Sequence, residues 1–252
     1  MCTLVILRRP AHSWPVILGA NRDEMLDRPW RAPARHWPDR PETVGGLDEL
    51  AGGSWLAVNE HGVLAGVLNR FGSLGPQSGK RSRGELVLEA LDHADAAAAA
   101  AALAMIEPAS YRPFNLVIAD NRDAFWLRHA DPTGVLPVMV RPLPGGVSMI
   151  ASGDLDDSGN PRIAAYLPRF RAAPAPDPGN GDWRAWEALL ADEGGAPGAA
   201  SRAAMSFALA DGFGTVSSAL IALPAAEQGG ARPVFRFAAR RPERGPWRTI
   251  AV

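Results

Sequence analysis

The chain has a single cysteine, and it stands at position 2, in the run Met1-Cys2-Thr3-Leu4-Val5-Ile6-Leu7. Cysteine is small enough to permit excision of an initiator methionine. A Cys2 freed in that way would carry a thiol nucleophile together with an α-amine of pKa about 8 that can act as its base. A lone cysteine elsewhere in a chain is often no more than a small buried hydrophobe. Position 2 is what points to acyl-transfer chemistry.

A second apolar run ends in Ala20-Asn21-Arg22-Asp23-Glu24. If it pairs antiparallel with the first run, its end lies beside Cys2. There the Arg22 guanidinium would favour the thiolate or bind a substrate carboxylate, while the Asp23 carboxylate would face the α-amine. The plain alternative is a solvated turn with an arginine-carboxylate pair worth at most about 1 kcal/mol. Asn121-Arg122-Asp123 repeats the tripeptide between two other apolar runs, where an ordinary turn is expected, so nearness to Cys2 is what separates the copies. Acyl transfer also needs donors aimed at the developing oxyanion, each worth roughly 3 kcal/mol. Asn69, at a strand end, offers an amide N–H and is equally a turn former. Gly52-Gly53 can bring backbone close to a ligand or simply bend the chain. Trp30, Trp37 and Trp55 can line a flat apolar pocket, or each can belong to the core.

The elements that must position these groups follow from apolar periodicity and turn residues. Residues 2–8 and 16–21 flank Arg9-Pro10-Ala11-His12-Ser13-Trp14-Pro15, whose two prolines mark the turn of a hairpin with both strands buried. Residues 23–53 are rich in Pro, Arg and Trp with little periodicity, which predicts a long functional loop at the rim of a pocket. Residues 54–58 and 63–69 flank Asn59-Glu60-His61-Gly62 and predict a second hairpin ending at Asn69. Ser82 and Glu85 have capping-box spacing and open a helical pattern that runs, with a break near 92–95, through an alanine-rich stretch to Pro108. Residues 115–119, 124–129, 135–140 and 146–151 predict a meander of strands. Helices over 161–173 and 183–192 come next, then strands over 217–223 and 234–238. Strand groups with helices between and after them predict an α+β protein of two antiparallel sheets covered by helices.

Composition narrows the classes. With 252 residues, 47% of them hydrophobic, the chain can bury a full core, and one domain spanning 1–252 is expected. A net charge of −1 without blocks of like charge argues against nucleic acid and anionic membranes as partners. One cysteine permits no intrachain disulfide, and no signal segment precedes the first strand, which leads to the expectation of a reduced, cytoplasmic setting. The apolar stretch 96–106 is about half a bilayer span, so membrane insertion is not expected. No metal-ligand spacing occurs. The acidic stretch Asp154-Leu155-Asp156-Asp157-Ser158-Gly159-Asn160 lacks the glutamate of a calcium loop, and no phosphate-binding glycine loop is present.

Taken together, Met1-Cys2-Thr3, Asn21-Arg22-Asp23-Glu24 with Arg28-Pro29, Gly52-Gly53-Ser54-Trp55-Leu56, Asn69, Arg83-Gly84-Glu85-Leu86-Val87, Phe114-Asn115-Leu116 and Gly214-Thr215 resemble the NRDE family, the group related to the transport and Golgi organisation 2 protein. That family is similar to N-terminal-nucleophile hydrolases, with a four-layer αββα sandwich. Choloylglycine hydrolases and penicillin V acylases likewise begin with cysteine and carry an Asn-x-Asp element on the next strand. The resemblance implies Cys2 as nucleophile, Asp23 as the aspartate near its amine and Asn69 as the oxyanion asparagine. Asn21, Arg22, Gly53 and Trp55 are the candidate substrate-binding residues. It departs at three positions: Ala20 stands where those acylases carry arginine, Gly153 where relatives carry asparagine and Val216 where they carry arginine, with Asn160 a candidate substitute. The function expected is cleavage of a linear amide or related acyl compound through a thioester, with a small-molecule substrate and no cofactor. The alternative is a non-catalytic carrier of haem or acyl lipid, with haem as a transported ligand. The five histidines are scattered and no haem-attachment signature occurs.

Overall fold

In a computed structural model, which describes residues 2–194, 203–241 and 244–252, the chain forms two stacked antiparallel sheets with helices on both outer faces. The strands are β1 (Thr3–Arg8), β2 (Val16–Met25), β3 (Trp30–Ala34), β4 (Thr43–Asp48), β5 (Leu56–Asn59), β6 (Leu64–Asn69), β7 (Phe114–Ala119), β8 (Ala124–His129), β9 (Met139–Pro142), β10 (Gly146–Ile150), β11 (Phe213–Leu223), β12 (Val234–Ala239) and β13 (Arg248–Ile250). The helices are α1 (Gly84–Leu91), α2 (Ala96–Ala104), α3 (Pro161–Ala172) and α4 (Arg184–Ala191). One sheet runs in the order β10-β1-β2-β11-β12-β13 and the other β3-β4-β5-β6-β7-β8-β9. The expected αββα sandwich is the observed architecture.

Alternation along the strands divides the core. Leu4, Ile6, Val16 and Leu18 point between the sheets and meet Val44, Leu56, Leu64 and Val117. Their neighbours Val5, Leu7 and Ile17 point outward and pack on Ile163, Phe170 and Trp186 of α3 and α4. Because both faces are covered, β1 reads as an unbroken apolar run. On the far side Ala96, Ala99, Ala100 and Leu103, at helical spacing, lay α2 on the second sheet. The side chain of Asp95 accepts a hydrogen bond from the Ala98 N–H at 2.7 Å. That N-cap, worth about 1 kcal/mol, starts α2 and produces the helix break expected near 92–95.

Three expectations about elements are corrected. Residues 23–53 are not one loop, since β2 continues to Met25 and β3 and β4 pair at the edge of their sheet. Pro33 is the buried residue of β3, and prolines are tolerated there because an edge strand has N–H groups with no ladder partner. The run 146–151 does not continue the meander, because β10 crosses to the other sheet and pairs with β1, with Leu4 opposite Ile150. The Ser82–Glu85 capping box does not form; Arg83 takes the N-cap position without a side-chain bond, and Glu85 accepts from Arg81 Nε at 2.8 Å. β13 has no counterpart in the sequence reading. Among the described residues no helix is long and apolar enough to cross a membrane.

Candidate active site

The pairing of β1 with β2 sets Thr3 opposite Asn21, so Cys2 falls beside Arg22 and Asp23. Its Sγ donates to the Asp23 carbonyl at 3.5 Å and accepts from the Asp23 N–H at 3.4 Å. The sulfur is half-buried and lies on the wall of a cavity of about 480 Å³ that it shares with Arg22, Trp55, Asn69 and Arg83. A second, narrow space of about 20 Å³ lies between the sheets behind it, lined by Leu4, Ala20, Leu56 and Gly66. That is room for one water. The copy of the tripeptide at Asn121-Arg122-Asp123 is the turn between β7 and β8, where Asp120 accepts from the N–H groups of Arg122 and Asp123, both at 2.7 Å.

Successive residues of β2 face opposite ways, and this separates the roles of Arg22 and Asp23. Asp23 points under α3, with its side chain fully buried. Its carboxylate accepts from Arg162 Nη1 at 2.8 Å and from the Thr215 hydroxyl at 2.7 Å. The same Arg162 nitrogen donates to the Thr3 hydroxyl at 2.6 Å, and the guanidinium lies over the Phe207 ring at 5.2 Å. Arg162 sits in the first turn of α3, which begins because the Asn160 side chain accepts from the N–H groups of Arg162 and Ile163 and Pro161 follows it. Asn160 therefore caps a helix and does not enter the cavity. Opposite Asp23 the ladder between β2 and β11 slips, with Thr215 facing Asp23 and Ser217 facing Arg22. Val216 is thus the extra residue of a bulge, and its carbonyl accepts from the Arg240 N–H at 2.8 Å.

Arg22 points between the sheets, 4.3 Å above the Trp55 ring and 3.5 Å from Asp48. Trp55 is held by Trp30 edge-on at 6.0 Å. One terminal nitrogen of Arg22, Nη1, is buried with no partner among the described residues. A buried guanidinium donor left unpaired in this way carries a desolvation cost. Arg22 does not activate the thiol, however. Burial pushes the Cys2 thiol up from its ordinary value and the Asp23 carboxylate adds to the rise; Arg22 pulls the other way and does not prevail. The surroundings therefore work against the thiolate form.

The remaining candidates divide. Asn69 ends β6 on the cavity wall, its carboxamide without a partner among the described residues. Trp55 is in the site. Asn21 is not a ligand-facing residue: its Nδ2 donates to the carbonyls of Leu190 and Met205 at 2.9 and 2.7 Å, and its Oδ1 accepts from Ser218 at 2.7 Å. Its polar groups are spent anchoring β2 to α4, to Met205 and to β11. Gly53 is likewise structural. A Cβ there would meet the Gly84 carbonyl carbon at 2.5 Å, so glycine allows this turn to touch the start of α1. Trp37 belongs to the scaffold and donates from Nε1 to the Gly52 carbonyl at 2.8 Å. Among the described residues no group of acidic, histidine or cysteine side chains could hold a metal ion. Arg162 escaped the sequence reading; only Asn160-Pro161, a helix start, marked its position.

Solved structures with the same architecture are known. A Caenorhabditis elegans ortholog of N-acylethanolamine-hydrolyzing acid amidase superposes with a TM-score of 0.60 at 14% identity, covering 92% of this chain and 98% of that one. Penicillin V acylase from Agrobacterium tumefaciens gives 0.54 at 13% identity, covering 94% and 83%. A mutant conjugated bile acid hydrolase from Clostridium perfringens gives 0.53 at 11% identity, covering 100% and 97%. At these identities the fold is what is shared, and it is that of the N-terminal-nucleophile hydrolases. In sequence, the Bos taurus Transport and Golgi organization protein 2 homolog is 36% identical over 114 residues, 43% of this chain and 40% of that one. The Homo sapiens homolog is 35% identical over the same shares, so the match spans less than half the length of these curated relatives. Residues 1–157, which hold Cys2, the Asn21-Arg22-Asp23 strand and Asn69, match Transport and Golgi organisation 2. It is to that family that the chain belongs.

Proposed function

We propose that the protein is an N-terminal cysteine amidohydrolase or acylase that cleaves a linear amide or related acyl compound through a thioester. The observation that carries this reading is the placement of Cys2 Sγ, 3.4 Å from the Asp23 N–H on the wall of an open cavity that also holds an unpartnered Asn69 carboxamide. The similar folds reported above are, by their names, an amidase, an acylase and a hydrolase.

Excision of Met1 would expose the Cys2 α-amine, a base of pKa about 8 matched to a thiol whose thiolate form burial disfavours. The amine accepts the thiol proton as sulfur bonds to the acyl carbon, and the carbonyl electron pair moves to oxygen. Asn69, with a backbone N–H, donates to that oxyanion. When the electron pair returns, the C–N bond breaks and the leaving nitrogen takes the proton from the α-ammonium. Water, deprotonated by the same amine, then attacks the thioester and the thiol is restored. Asp23, fixed by Arg162 and Thr215, orients the amino end of β1 from the other face of the sheet.

The test pairs intact-mass spectrometry with an acyl probe. Loss of Met1 and acylation of Cys2, abolished in Cys2→Ser, are the expected results. An intact Met1 together with no acylation refutes the reading. The carrier of haem or acyl lipid is the second reading, and it is favoured by the placement of Asn160, the candidate substitute for the polar groups missing at Gly153 and Val216, as a helix cap outside the cavity. Haem as cargo would find no histidine on the walls of the two cavities that contain Cys2. Haem affinity that is unchanged in Cys2→Ser, alongside absent acylation, supports the carrier.

A further inference from the structure

The cavity that holds Cys2 is lined by six cationic side chains against three acidic ones, in a chain whose net charge is −1. Three of the cations are matched: Arg28 donates to both oxygens of Asp48, Arg22 lies 3.5 Å from Asp48 and 3.9 Å from Glu24, and Arg81 reaches Glu85 and Glu89. Of the acids, Asp23 is turned to the far side of its sheet and bonded to Arg162. Arg83, Arg112 and Lys80 have no carboxylate partner among the described residues. Arg83 donates from Nη1 to the Ser73 carbonyl and hydroxyl and the Pro113 carbonyl at 2.8 to 3.0 Å, leaving Nε and Nη2 unused. Arg112 gathers the carbonyls of Gly72, Leu74 and Gly75, and Lys80 donates to the Ala109 carbonyl. Neutral carbonyls orient these groups without cancelling their charge. The neighbouring cavity of about 540 Å³ shares Lys80, Arg112 and Gln77 with the first, so the positive wall extends beyond the thiol.

We propose that this wall is a subsite for an oxyanion-bearing group, a carboxylate or a phosphate, carried by the substrate at the end away from the bond that is cut. The word substrate rests on the hydrolase reading; the subsite rests on uncompensated charge and on the cavity alone. Like charges held together around a concave, partly buried surface raise the local concentration of anions. Burial and the nearness of Arg112 push Arg83 down to about 10, which an anion in the cavity would relieve. Arg22 lines the same cavity beside the thiol, so anionic groups are drawn along one path toward Cys2.

The test uses the full chain and its single thiol, and reads no turnover. Rates of alkylation at Cys2 by N-(5-carboxypentyl)iodoacetamide and by N-hexyl iodoacetamide are compared at low salt, with N-acetylcysteine as reference. The anionic-to-neutral rate ratio is expected to exceed the reference by about tenfold or more. It is expected to fall toward the reference in Lys80→Gln, in Lys80→Gln with Arg112→Gln, and in the presence of inorganic phosphate or acetate, while the neutral probe's rate stays the same. Stronger competition by phosphate supports a phosphate-bearing substrate and stronger competition by acetate a carboxylate; either supports the subsite. Lys80→Gln removes one contact to a carbonyl and keeps the test available should Arg112→Gln disturb the loop it gathers. A ratio at the reference, a ratio unmoved by the ions and both variants, or no labelling by either probe overturns the proposal. A protein with the preference but no amide turnover keeps the subsite and loses the hydrolase; turnover without the preference does the reverse.

Discussion

Replacing Arg162 by methionine tests whether the ion pair beneath β1 and β2 sets the stability of the site. Arg162 Nη1 and the Asp23 carboxylate are 2.8 Å apart, with side chains 4% and 0% exposed. At an effective dielectric of about 20, charges at that distance attract by about 6 kcal/mol. Much of this offsets the cost of taking both from water, so the pair itself adds little net stability. Losing one partner differs, because the other charge stays buried, and such a change costs about 3–5 kcal/mol. Arg162→Met is therefore expected to lower the denaturation free energy by about 3–5 kcal/mol, a fall in Tm of roughly 6–20 °C for a chain of this size. Asp23→Asn should cost a comparable amount, since it leaves the guanidinium facing an amide. The double variant should be more stable than the sum of the two losses by at least about 2 kcal/mol. Urea denaturation of the four proteins, followed by tryptophan fluorescence, measures the cycle. Strict additivity, or a loss below about 1 kcal/mol in Arg162→Met, would refute the argument and make the pair a solvated contact.

Three further outcomes are expected. Because burial raises the folded thiol above its unfolded value of about 8.5, the folded state keeps a proton that the unfolded state releases; stability from this source is complete below about pH 8.5 and is lost as pH rises through the folded value. Chemical denaturation from pH 7 to 10 should show a decline that Cys2→Ala flattens. Gly53→Ala forces a Cβ to 2.5 Å from the Gly84 backbone, and a loss of about 1–3 kcal/mol in thermal or chemical unfolding is expected. Asn69→Ala, at a half-buried position with no protein partner to strand, should change stability by less than about 0.5 kcal/mol yet lower acyl turnover by about 10²–10³; equal turnover would remove Asn69 from the oxyanion site.

Much of this site is legible in local sequence. The prolines flanking the turn at 9–15 and the short apolar runs on either side of it mark the β1–β2 hairpin, and with it the approach of Arg22 and Asp23 to Cys2. Strand alternation places Arg22 and Asp23 on opposite faces. What it leaves open is the occupant of each face, and so Asn21 reads as a ligand-facing amide when the carbonyls of Leu190 in α4 and of Met205 claim it. Arg162 stands 139 residues from Asp23, with no periodicity linking them. The edge strand β3 escapes notice because its prolines and exposed side chains erase the alternation by which strands are recognised. The crossing of β10 to the other sheet is similarly mute, since its partner β1 was made long before it. The positive wall is diluted in a nearly neutral composition and is visible only once residues 80–83 and 112 come together.

The place of β1 and β2 in the middle of their sheet also orders events in time. β1 and β2 are synthesised long before β11, which covers the open edge of β2 and begins at Phe213. At about 5–20 residues per second the intervening chain takes roughly 10–40 s to synthesise. For that interval the hairpin lacks its lateral partner. The buried pair of Asp23 and Arg162 is thereby completed late, because the Thr215 hydroxyl that also holds the Asp23 carboxylate arrives only with β11.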